Sequence, residues 1–114
     1  MSNLQALLNR DALMADTELA LLARFAPVRI TVILGGDDGD VALGQPDERS
    51  DRVILRGAEG DWDDLLSPMP PPGRHDLLSL GKNSSTFELP SPLYPVVRNL
   101  RVLNRWIDVA RGML

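Results

Sequence analysis

The chain has 114 residues, no cysteine and a net charge of −4. That length fits one domain with a real core, so neither disulfide nor metal is needed to hold it, and thiolate chemistry is excluded. The acidic balance argues against nucleic acid as a partner. The apolar runs, such as Val32 to Leu34, are too short to span a bilayer, and the start Met1-Ser2-Asn3-Leu4-Gln5 has no secretory pattern, so a soluble cytoplasmic protein is expected.

Leu4, Leu7 and Leu8 share a helical face and are followed by Leu13 and Met14. Asp16 or Thr17 can cap a further helix carrying Leu19, Leu21, Leu22 and Phe25, which Pro27 closes. Val28 to Leu34 is rich in β-branched residues and predicts a strand. Gly35 to Gly39 reads as a turn, 40–45 as a second strand, 46–50 as another turn and 51–57 as a third strand. Short links predict an antiparallel meander. Val28, Ile30, Val32 and Leu34, with Val53 and Leu55, mark one face as dry; Arg29, Thr31, Arg52 and Arg56 mark the other as wet.

Residues 58–66 predict an acid-started helix with Trp62, Leu65 and Leu66 on its apolar edge. The prolines at 68 and 70–72 break it and act as a stiff connector. A short helix over 75–80 carries Leu77 and Leu78 and is expected to end at Gly81. Residues 85–89 are a candidate fourth strand. A long helix is then predicted from Ser91-Pro92 to the end, with Leu93, Val96, Leu100, Leu103, Ile107, Ala110 and Leu114 at three- and four-residue spacing. Val102, Trp106 and Val109 widen its apolar arc, which calls for a second covering surface such as another subunit; Arg98, Arg101 and Arg105 form a basic stripe opposite. The fold class is therefore α+β, a small antiparallel sheet of about four to five strands covered on one face by helices.

Chemistry-bearing patterns are sparse. His75 is the only histidine, and its neighbour Asp76 does not face it on a helix, so an enzyme using His75 and Asp76 is the weakest reading. Asp37, Asp38 and Asp40 miss the ligand spacing of a calcium loop, and turn chemistry explains them. No metal site, phosphate-binding glycine loop or cofactor fingerprint is present, and no cofactor is expected.

The run Asp51-Arg52-Val53-Ile54-Leu55-Arg56-Gly57-Ala58-Glu59-Gly60-Asp61-Trp62-Asp63-Asp64-Leu65-Leu66, followed by His75-Asp76-Leu77-Leu78-Ser79-Leu80-Gly81-Lys82 and Thr86-Phe87-Glu88-Leu89, resembles the sterol carrier protein type 2 (SCP2-like) domain in its order of elements. The resemblance covers roughly Val28 to Arg111. It implies a noncatalytic domain holding a hydrophobic small molecule, fatty acyl or sterol-like, in an apolar cavity. The residues it would set around that ligand are Trp62, Leu65, Leu66, Leu77, Leu78, Phe87, Leu100 and Leu103. Val102, Trp106 and Val109 would serve a homodimer or partner-protein interface. The alternative is a ligand-free structural or dimerisation module.

Overall fold

The computed structural model describes all 114 residues. Three short helices open the chain: α1 (Asn3–Leu8), α2 (Arg10–Met14) and α3 (Thr17–Phe25). Each is started by a side chain that accepts a hydrogen bond from an otherwise unpaired backbone N–H. Ser2 Oγ accepts from Gln5 N at 3.1 Å, Asn9 Oδ1 from Ala12 N at 3.3 Å and Asp16 Oδ1 from Leu19 N at 2.8 Å. Strands β1 (Val28–Leu34), β2 (Asp37–Leu43) and β3 (Asp51–Gly57) follow, then α4 (Glu59–Leu65), α5 (Leu77–Asn83), α6 (Tyr94–Arg98) and α7 (Leu100–Gly112).

The sheet corrects the expected meander. Its order is β2-β1-β3, with β1 antiparallel to β2 and parallel to β3. The central place falls to the strand best able to pair on both edges. β1 is Val-Arg-Ile-Thr-Val-Ile-Leu, whereas β2 opens Asp-Asp-Gly-Asp, a composition that suits a sheet edge. The link 44–50 is long enough to carry the chain around the end of β1. Gly44 begins that crossing at φ +79°, and a Cβ there would sit 2.3 Å from Ala23 O, so only glycine fits. Arg10 fastens the region by donating to Ala42 O and Gly44 O at 2.9 and 2.7 Å.

Three strands form instead of four or five. Segment 85–89 contributes only a bridge between Arg56 and Glu88 on the outer edge of β3, at the N–H of Glu88 to Arg56 O (2.7 Å) and of Arg56 to Glu88 O (3.3 Å). The expected long C-terminal helix is also two helices. Asn99 separates α6 from α7: its buried side-chain amide donates to Asp51 Oδ2 and Pro95 O at 2.7 and 2.8 Å. Gly81 lies inside α5, which continues to Asn83.

The predicted faces hold. Burial alternates strictly along β1, and Val53 and Leu55 share the dry side with Val28, Ile30, Val32 and Leu34. The helices gather on that side, and a single cluster of 25 buried apolar residues joins them to the sheet. The principal neighbours of α7 are α3, α1 and α2, so it packs on helices more than on strands. No helix is long and apolar enough to cross a membrane.

Candidate functional site

The eight residues proposed to surround a ligand all belong to, or pack against, one buried apolar cluster. Trp62, Leu65, Leu77 and Leu103 are wholly buried, Leu66 and Phe87 nearly so, and Leu78 and Leu100 are partly buried against the same cluster. Trp62 meets Phe87 edge-on, with ring centroids 5.3 Å apart, and its indole N–H donates to Ile33 O at 3.2 Å. Gly57 passes so close beneath this pair that a Cβ would lie 2.6 Å from Phe87 Cδ2 and 3.0 Å from Trp62 Nε1. None of the eight lines any of the main clefts, all of which open at the surface.

The surface expected to need a second subunit is covered by the chain itself. Trp106 is wholly buried, Val102 almost so and Val109 partly buried. The indole N–H of Trp106 donates to Leu7 O at 2.9 Å, a bond between α7 and α1. The wide apolar arc of α7 therefore meets the three N-terminal helices. Periodicity showed that a second cover was required, but it could not show that residues about a hundred positions away supply it.

His75 is exposed, and its partner is turned away from it: the carboxylate of Asp76 starts α5, accepting from Ser79 N at 2.9 Å and Ser79 Oγ at 3.2 Å. No three histidine, aspartate or glutamate side chains gather where they could hold a metal ion.

Asp61 is the polar residue that sequence reasoning passed over. Its carboxylate is buried beneath the proline connector and ties four segments together. It accepts from Ala58 N at 3.0 Å, Arg74 at 3.2 Å, and the hydroxyls of Ser84 and Thr86 at 2.7 Å each. Burial pushes its pKa up, but the hydrogen bonds from Thr86, Ser84, Ala58 N and Arg74 together outweigh burial and leave it below the ordinary carboxylate value. Arg74 also reaches Asp64 at 2.9 Å. This arrangement closes the 67–76 connector onto α4 and the segment after α5. Every buried polar side-chain atom in the chain has a hydrogen-bond partner. A fully satisfied interior of this kind fixes structure.

The basic stripe is mostly structural. Arg98 clamps Asp51 with two bonds of 2.9 and 2.6 Å, and Arg105 clamps Asp16 with two of 3.1 and 2.7 Å. Those arginine hydrogen bonds hold both aspartates below the usual carboxylate range. Arg101 makes no side-chain hydrogen bond or ion pair and stands at the mouth of a groove of about 460 Å³ between α3 and the α6–α7 junction. Leu21, Leu22, Phe25 and Val102 form its apolar wall, with Phe25 79% exposed and Leu21 54% exposed.

The second uncovered region is the wet face of the sheet. Arg29, Thr31 and Ile33 of β1 are half-buried there, while Ile54 of β3 is 46% exposed. Leu93, Tyr94 and Val97 around α6 are exposed as well, so the chain presents several outward apolar surfaces around one buried cluster. No protein-family model, characterised protein or solved structure matches it.

Proposed function

We propose that the chain is a noncatalytic interaction module. The observation that carries this reading is the contrast between inside and outside. The interior is filled by 25 of the chain's own apolar residues, with no polar side-chain atom left unpaired. Meanwhile Leu21, Phe25 and Ile54 remain exposed on two of the surfaces that no part of the chain covers. A contiguous exposed apolar patch rimmed by polar groups, such as Leu21 and Phe25 form with Leu22 and Val102 along the α3 groove, marks a docking surface. A cysteine-free chain suits a reducing compartment, and a cytoplasmic setting goes with this reading.

Native mass spectrometry of protein purified without detergent tests it. The expected spectrum contains only the polypeptide, alone or associated. A small apolar molecule bound at one per chain, whose removal lowers stability, would overturn the reading.

That second outcome would favour the SCP2-like carrier, which one observation supports at a changed location. The α3/α6–α7 groove has an apolar wall and an unpaired guanidinium at Arg101, a combination that matches an acyl chain with an anionic head. Each methylene buried there would contribute about 0.8 kcal/mol. Under the carrier reading, Arg101→Glu and Phe25→Ala each weaken fatty-acid binding and leave the fold intact.

A further inference from the structure

The wet face of the sheet carries a charge pattern that follows from the strand order. Residues alternate between faces along a strand, so Asp38 and Asp40 of β2 and Arg52 and Arg56 of β3 all lie on this side. Because β1 is central, the acidic and basic columns flank it, roughly 10 Å apart at the usual strand spacing. That gap keeps the two columns from neutralising each other. Arg52 makes no ion pair or side-chain hydrogen bond. Arg56 has only Glu88, at 3.8 Å and with both side chains largely exposed, and Asp40 accepts only from the Thr31 hydroxyl. Thr31 and Ile33 run between the columns, and Ile54 extends the apolar centre onto β3.

Resting on the interaction-module reading, the geometry points to this face as the pairing surface for a second copy of the chain, about a two-fold axis parallel to β1. Symmetry and charge select the arrangement. A two-fold axis lying between two facing sheets and parallel to the strands places β1 over β1 and each β2 over the other copy's β3. Acid then meets base on both sides. An axis perpendicular to the strands would place β2 over β2 and β3 over β3, acid on acid and base on base, which is unfavourable. The register confines the direct match to one pair on each side: Asp38 and Arg56 both sit beside Ile33, so each Asp38 comes to face an Arg56 while the two Ile33 side chains meet at the centre. Asp40 falls opposite Ile54 and Arg52 opposite Ala42, with Asp40 and Arg52 one step apart on the diagonal. Arg29, the one charge on the central strand, would meet its own copy, but its guanidinium is drawn off the face to Asp47 O at 2.7 Å.

Three seven-residue strands give a footprint of roughly 300 Å² per copy, well under the roughly 800 Å² per partner of a stable interface. The pairing is therefore transient and salt-sensitive.

Sedimentation equilibrium on the full chain, up to several hundred micromolar, tests this. The expected result is a concentration-dependent dimer whose dissociation constant weakens about tenfold between low and high salt. Arg52→Glu/Arg56→Glu makes both columns acidic and Asp38→Lys/Asp40→Lys makes both basic. Each variant alone should be monomeric, and an equimolar mixture should form a heterodimer. Circular dichroism checks that both are folded; if one is not, the single pair Arg56→Glu and Asp38→Lys repeats the experiment. A wild type that stays monomeric, variants that dimerise as well as wild type, or a mixture that fails to associate would each overturn the pairing. Those outcomes leave the module reading standing, since that reading falls on a stoichiometric bound molecule instead.

Discussion

Replacing Asp61 with alanine removes the acceptor shared by Ala58 N, Arg74, Ser84 and Thr86. The two hydroxyls keep each other at 3.1 Å and Thr86 is exposed, so they are not stranded, and Arg74 keeps Asp64 at 2.9 Å. The loss is then that of hydrogen bonds to a charged group, about 2 kcal/mol. With a urea m-value of about 2 kcal/mol/M, the unfolding midpoint should fall by about 1 M. Fluorescence of the two buried tryptophans reports the transition. The effect should also depend on pH. The folded-state pKa of Asp61 lies below its ordinary value near 3.8. Its contribution is therefore complete above the ordinary value and is lost as pH falls through the lowered one. Asp16 and Asp51 shift in the same direction, so wild type loses stability in acid, and Asp61→Ala loses less over the same interval. A midpoint change under about 0.5 M with an unchanged slope would refute the view that this carboxylate holds the connector in place.

Trp106→Ala should cost about 3–5 kcal/mol, read as a fall in melting temperature that is the same at every protein concentration, because the side chain is buried within one chain. Gly57→Ala should lose about 1–3 kcal/mol in urea denaturation, since the added methyl would lie 2.6 Å from Phe87. Asp16→Ala removes both the bond to Leu19 N and the two-bond clamp from Arg105 and should cost about 1–2 kcal/mol in the same assay, with amide exchange rising first in α3.

Where a feature depended on local pattern, it was legible. The alternation of β1 and β3 gave the dry face, and Asp16 announced the start of α3. Strand order was partly legible: the acidic, glycine-bearing start of β2 argues for an edge, but the shortness of the links outweighed it in a meander reading. The break at Asn99 carries no proline or glycine and depends on a bond to Asp51, far away in sequence. Asp61 was hidden for the same reason. Its partners Arg74, Ser84 and Thr86 lie 13 to 25 residues on, and only the local bond to Ala58 N left a trace, as an acid three residues after a helix start. Pattern alone does not separate a ligand set from a core, because buried leucines and aromatics look alike whether they line a cavity or fill one.

The bond from Trp106 to the carbonyl of Leu7 spans 99 positions. During synthesis the first helix can meet β1 and β2 early, but its seam with α7 stays open until residue 106 has been made. Closure of this half therefore waits for α7, and a nascent chain stalled before residue 106 would leave part of the apolar surface around Leu7 and Leu13 open to any holding chaperone within reach.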